Sequence, residues 1–368
     1  MSVRYFTSES VCAGHPDKIA DGISDKLLDA LISQDSQTRA GIETVVGDNQ
    51  IILLGEIKTS AKIDFENIVR DYIFSLGYTD PSWGFSWQSN FLNFLHQQSP
   101  EIGIGVDNEG AGDQGMMFGY AVNETKSLMP APITLAHALT KKIDDVRSNK
   151  TIDWLRPDGK AQVTILYKNN KPVSVEKVVI AVAHSEEKKS EEVKQEIINQ
   201  VIEPVLNSHG FDLPTVDNII VNGTGLWFIP GPASDAGLTG RKIVVDGYGG
   251  YARVGGGAFS GKDASKVDRS GAYCARFIAK NIVSKGLADK CEVALAYVIG
   301  QPRPLMQTVE TFGTAKVSDH EIDNYVNGLI DTSVSGIISK LDLRRPIFSL
   351  STNYGHFGKE NLPWEKVV

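Results

Sequence analysis

Three stretches of this chain carry small or apolar residues at close to every fourth position, and each runs into strand-like text; no other feature restricts the fold so much. Ile19, Ile23, Leu27 and Leu31 form one stripe, Val193, Ile197, Val201 and Val205 a second, and Gly271, Ala275, Ile278 and Ile282 a third. That spacing puts the side chains on one side of an amphipathic helix. The segments that follow, IETVVGDNQIILLGEI, NIIVNGTGLWFI and EVALAYVIG, are rich in β-branched residues and predict strands. Further helices are predicted at DFENIVRDYIFSLGY, ITLAHALTKKIDDVRS and HEIDNYVNGLI. AQVTILYKNNKPVSVEKVVIAVAH predicts a hairpin turning at Asn169, Asn170 and Lys171. The recurrence of helix, strands and helix predicts an α/β (α+β) chain with mixed sheets and helices layered on one face. At 368 residues the chain exceeds the roughly 250 to 300 at which single cores stop growing, so two or three subdomains are expected. Glycine- and proline-rich breaks at DNEGAGDQG and IPGPASDAGLTG are the natural seams.

Charge narrows the partners. With 37 basic and 45 acidic residues the net charge is −8, which argues against nucleic acid or an anionic membrane as the main partner. Any phosphate site must be a local basic cluster. Cys12, Cys274 and Cys291 are scattered and odd in number, so neither a disulfide framework nor a cysteine metal site is expected, and a reducing cytoplasm fits. The opening MSVRYFTSESV has no apolar signal core, and the longest aliphatic run, Ile51 to Leu54, is too short to span a bilayer.

Five segments bring carboxylates or bases to glycine-rich turns. In GHPDK, Pro16 suits a first helical turn, which sets His15, Asp17 and Lys18 at an anion-receptive helix end. Asp21 and Asp25, further along, are expected on a solvated face. GAGDQGMMFGYA holds Asp113 in a loop that fits either a ligand contact or a tight turn. RPDGKAQV sets Asp158 and Lys160 about Gly159, alone a plain turn. GPASDAGLTGRKIVVD places Asp235 before Arg241 and Lys242, read as the foot of a strand where both bases reach one phosphate chain if the backbone bends at Gly240. GGGAFSGKDASKVDRS nearly spells a P-loop, but Asp263 stands where that loop has its hydroxyl; Ser265 and Asp268 there match a capping box, with Lys262 and Lys266 about the helix start. Many cations around a few carboxylates suit a polyphosphate carried on Mg²⁺, because magnesium keeps one or two carboxylates and phosphate oxygens as ligands.

FTSESVCAGHPDKIAD, GAGDQGMMFGYA and GGGAFSGKDASKVDRS resemble the signature segments of the S-adenosylmethionine synthetase (methionine adenosyltransferase) family. The likeness continues through ETKSLMPAPITLAH, WLRPDGKAQVT, GLTGRKIVVDGYGG and YGHFGKENLPWEK, nearly the whole chain. It implies three similar subdomains in a pseudo-threefold arrangement, here divided at 1–101, 110–229 and 230–368, and a homodimer or dimer of dimers with active sites between subunits. It implies that the methionine sulfur attacks the 5′ carbon of ATP and expels tripolyphosphate, which is hydrolysed to pyrophosphate and phosphate. Two Mg²⁺ per site and K⁺ are implied as cofactors. By matched position, the resemblance gives His15 to the departing tripolyphosphate and Lys160, Arg241, Lys242, Lys262 and Lys266 to the phosphates, with Lys266 also near methionine. It gives Asp17 and Asp268 to Mg²⁺, Glu43 to K⁺, Glu56, Gln98 and Asp113 to methionine, and Asp235 to adenosine or the methionine ammonium. Glu9, Asp158 and Ser260 fall on the nucleotide side, and residues 97–107 on a gating loop.

The sequence departs from the usual family pattern at Gly223, Leu226, Trp227 and Pro230, at Ala236 in place of a frequent cysteine, and in the short loop VDNEG. Two other classes compete: a kinase or ATPase acting on the γ-phosphate, which yields ADP, and a nucleotide sensor without turnover.

Overall fold

A computed structural model describes residues 2–97 and 110–368. Its described strands form three sheets. In the first, β1 (Val3–Val11), β7 (Leu155–Lys168), β8 (Lys171–His184) and β9 (Ile219–Val221) lie in that order, antiparallel except for β8 beside β9. The second orders β10 (Gly237–Leu238), β2 (Arg39–Gly47), β3 (Gln50–Lys58) and β4 (Asn90–Asn93). There β4 and β5 (His96–Gln97) pair parallel with β3. The third is antiparallel, β12 (Met306–Glu310), β11 (Lys290–Tyr297) and β6 (Gly115–Val122). The fold is thus a mixed α/β arrangement, and each sheet draws strands from distant parts of the chain.

One long helix packs on each sheet: α1 (Pro16–Gln34) on the second, α3 (Ala131–Ser148) on the first and α7 (Val267–Ser284) on the third. The predicted stripes are their buried faces, with Ile19, Ile23, Leu27, Leu31, Ala275, Ile278 and Ile282 all fully buried. Val193, Ile197, Val201 and Val205 line one side of a helical run made of α4 (Ser190–Ile197), a π-turn over Ile198–Ile202 and α5 (Glu203–Ser208). α2 (Phe65–Ser75) and α8 (Asp319–Leu329) lie where predicted. The β7–β8 hairpin turns on Asn169 and Asn170 at φ +51° and +61°, the left-handed pair that a two-residue turn of this kind demands.

Four expectations fail for physical reasons. NIIVNGTGLWFI is a strand only over Ile219–Val221, because Asn222 leaves the ladder at φ +46° and its side-chain amide bonds both Val182 N–H and Val182 C=O in place of a next residue. KIVVD is not strand; α6 (Ile243–Asp246) is a single helical turn. No capping box forms at Ser265: α7 begins one residue later, the buried Ser265 hydroxyl has no partner, and Asp268 turns to Lys262. Asp158 and Lys160 are not in a turn but inside β7, at an irregularity of the ladder between Leu155 and Gly159 that sends Asp158 inward and Lys160 outward.

Candidate active site

The largest surprise lies along α1. Asp17, Asp21, Asp25 and Asp29 recur every fourth residue, and instead of facing solvent all four are buried. Each accepts backbone N–H groups from a segment far along the chain: Asp17 from Leu238 (3.0 Å), Asp21 from Gly240 (2.8 Å), Asp25 from Gly261 (2.9 Å) and Asp29 from Phe348 and Ser349 (2.9 and 2.8 Å). A buried carboxylate needs a counter-charge. Lys18 Nζ lies between Asp21 (2.9 Å) and Asp246 (2.7 Å), and Arg269 meets both oxygens of Asp25 at 2.7 and 2.9 Å. This network was not legible from spacing alone, because an acid every fourth residue on a helix normally marks a wetted face. The one clue available was that the acids keep the period of the apolar stripe on the other side of the helix.

Two charged clusters grow from this frame. In the first, His15 caps α1: its Nδ1 accepts the Asp17 N–H at 3.2 Å, so the ring proton of the neutral imidazole sits on Nε2. Burial, with the Lys242 and Lys160 cations, pushes the ring down to about 3, so His15 is a neutral donor at physiological pH. Lys242 Nζ lies 2.5 Å and Arg241 Nε 3.5 Å from the Asp17 carboxylate. Burial alone would raise that carboxyl, but the Lys242 and Leu238 hydrogen bonds hold it below its ordinary value. Gly240, at φ +81°, supplies the bend that brings both bases to one side. Asp158 accepts the Gly231 N–H at 2.9 Å, and burial pushes its carboxyl up to about 7.

In the second cluster Lys262 Nζ meets Asp268 Oδ2 at 2.5 Å, and Lys266 stands 3.9 Å from Glu56. Gly261 precedes Lys262 at φ +79°, and a Cβ there would lie 1.9 Å from the Ile42 carbonyl, so only glycine fits. Lys262 is bridged to Gly41 on β2, whereas Leu238 of the first cluster pairs with Val45. These anchors are four residues apart on one strand, roughly 14 Å at about 3.4 Å per residue. No hydrogen bond or ion pair among the described residues joins the two clusters directly.

Between them runs the outer face of β2 and β3, where Glu43 is exposed beside Val45, Ile52 and Leu54. Glu43 and Glu56 are diagonal neighbours on that face. Asp113 is exposed and accepts the Gln114 N–H, while Glu9 and Asp235 are exposed and join neither cluster. Ser260 is buried with an unpartnered hydroxyl. Gln98 and most of the 97–107 segment lie outside the described residues.

Among the described residues no group of three or more His, Cys, Asp or Glu side chains forms a metal cage. Single carboxylates, each beside lysines, instead suit a divalent ion that arrives on phosphate oxygens. No described helix is long and apolar enough to cross a membrane.

Comparison with known proteins covers nearly the whole chain. Residues 3–100, 108–227 and 229–366 match the N-terminal, central and C-terminal domain models of S-adenosylmethionine synthetase, in that order. The S-adenosylmethionine synthase of Sulfurovum sp. (strain NBC37-1) is 48% identical over 369 residues, covering 98% of this chain and 95% of the relative. A helix end, two glycine turns and their cations therefore stand within a full-length match, and the chain belongs to the S-adenosylmethionine synthetase family.

Proposed function

We propose that the two clusters are the halves of one triphosphate site, in which the chain transfers the adenosyl group of ATP to the sulfur of L-methionine. The reaction yields S-adenosylmethionine, and the tripolyphosphate left over is hydrolysed to phosphate and pyrophosphate. The observation that carries this reading is the pair of glycine turns, each delivering lysine or arginine to a lone carboxylate, with a neutral His15 beside one of them.

A thioether sulfur attacks without losing a proton, so the first step needs no general base. The difficulty lies in the leaving group, and preorganised charge is the main device that answers it. Lys160, Arg241, Lys242, Lys262 and Lys266 grip the phosphates, and the Nε2 proton of His15 is donated as a hydrogen bond to the departing bridging oxygen. Asp17 and Asp268 would hold magnesium together with phosphate oxygens, and the ion would supply charge neutralisation at the leaving group. Potassium belongs at Glu43. Glu56, Asp113, Asp235 and Gln98 orient methionine, while Glu9, Asp158 and Ser260 serve the nucleotide. Alignment of sulfur, carbon and oxygen supplies the remaining acceleration.

Self-association completes the site. The exposed face of β2 to β4, with Leu54 and Leu92 at 40% and 43% exposure, is an apolar surface lying between the clusters. A second copy docked on it by a two-fold axis sets the first cluster of one chain against the second cluster of its partner. The chain divides for this purpose at 1–101, 110–229 and 230–368, and works in the cytoplasm. Incubation with ATP, methionine, Mg²⁺ and K⁺ followed by mass spectrometry should show S-adenosylmethionine, phosphate and pyrophosphate. ADP as the sole product would refute adenosyl transfer.

A further inference from the structure

The two cation-bearing turns are built alike. In Gly240-Arg241-Lys242 and in Gly261-Lys262 the glycine has φ near +80° and the bases follow it directly. In both, the glycine N–H is taken by a buried aspartate of α1, Asp21 for Gly240 at 2.8 Å and Asp25 for Gly261 at 2.9 Å. The two aspartates are one helical turn apart, about 6 Å along the axis. Each is fixed by a buried base, Lys18 or Arg269. Arg269 doubles the hold on the second turn, since its Nη1 also donates to the Lys262 carbonyl at 3.1 Å. Thr352 fixes the other Asp25 oxygen at 2.7 Å. Neither turn has room to relax: a Cβ at Gly240 would meet Ala258 at 2.4 Å, and one at Gly261 would meet the Ile42 carbonyl.

We propose that Asp21 and Asp25 are positioning residues for adenosyl transfer: Asp21 holds the turn of Arg241 and Lys242 and Asp25 the turn of Lys262 at fixed places along α1, so that each turn presents its bases to the site it forms with the other turn of the partner chain. They touch no phosphate themselves. The inference rests on the assignment of those three bases to the triphosphate. Asp29 supplies an internal comparison, because it makes the same kind of bond to Phe348 and Ser349, which carry no proposed site residue.

Replacement by glutamate keeps the charge but pushes the acceptor outward by one carbon–carbon bond, about 1.5 Å. Misplacement of a binding group by about 1 Å costs on the order of 10²-fold in rate. The test compares Asp21→Glu, Asp25→Glu and Asp29→Glu for kcat, for KM toward ATP and methionine, and for thermal midpoint. At Asp21 and Asp25, kcat is expected to fall about 10²-fold with both KM values within about threefold. At Asp29 a similar loss of midpoint should leave kcat within about threefold. Asp21→Asn and Asp25→Asn, which retain an oxygen at the acceptor position, should keep kcat within about tenfold of the parent, and they decide the matter if a glutamate variant does not fold. Glutamate variants with the parent's kcat, losses that follow midpoint equally at all three positions, or folded asparagine variants losing more than about 10²-fold would each overturn the proposal. Lys242→Met and Lys262→Met, measured alongside, separate it from the site assignment: if these keep full turnover, the assignment fails first.

Discussion

At the scale of single residues, burial decides protonation. Asp158 is 3% exposed, with Oδ2 bonded to the Gly231 N–H and Oδ1 without a partner. Its carboxyl is raised by burial from 3.8 to about 7, against the opposing pull of the Gly231 hydrogen bond and the Lys160 cation. A folded value above the unfolded one means that the native state holds the proton longer. The resulting stability is complete below about pH 4 and is lost as pH rises through about 7. Asp158→Asn removes this titration while keeping an acceptor for Gly231. Urea unfolding from about pH 4 to about pH 8 should therefore show the variant gaining on the parent up to about pH 7, with the difference then levelling off. A difference independent of pH would show that Asp158 does not titrate in the folded chain. His15 was legible as a candidate site residue because a histidine, a carboxylate and an amine crowd a helix start, but its neutrality was not. That follows from the depth of burial and from Lys160 and Lys242, which only the fold brings to it.

Among the secondary-structure elements, α7 joins the proposed site at one end and braces the fold along its body. Its first turn presents Asp268 to Lys262, while further along Arg276 and Lys280 clamp Glu365 of the C-terminal segment at 2.9 and 2.8 Å. Trp364, fully buried, stacks on Tyr273 with ring centres 3.7 Å apart and donates its indole N–H to the His356 carbonyl. Tyr273 in turn accepts from Arg269 Nε at 2.9 Å, so the segment braces the residue that holds Asp25. Trp364→Ala should cost about 3–5 kcal/mol of stability, as burial of a large aromatic predicts. Chemical unfolding checks this, and a loss below about 1 kcal/mol would show that the segment only decorates the surface. The helices themselves were legible, since period four survives any tertiary context. The capping box at Ser265 and the strand at KIVVD were misread because other partners overrule the local rules: Asp268 pairs with the nearby Lys262, and Asp246 is drawn into the pair with the distant Lys18.

For the whole molecule, the sequence exposed the inventory of charges but not their grouping. Lys242 and Lys262 are only twenty positions apart, and nothing in their spacing says that the segments carrying them anchor at different points of β2, through Leu238 and through Lys262 itself. Under the proposed function, that separation makes self-association part of the chemistry. A variant lacking Lys242 spoils the first cluster and one lacking Lys262 the second, so each homodimer has no intact site. In a mixed dimer, however, one of the two sites draws both intact clusters. The most direct measurement is therefore to make Lys242→Met and Lys262→Met, confirm that each alone turns over at least about 10²-fold more slowly, then refold them together in equal amounts. With half the dimers mixed and one site in two restored, the account predicts about a quarter of the parent's rate of S-adenosylmethionine formation. No recovery beyond that of the separate variants would contradict it, and would place both clusters in a site within one chain.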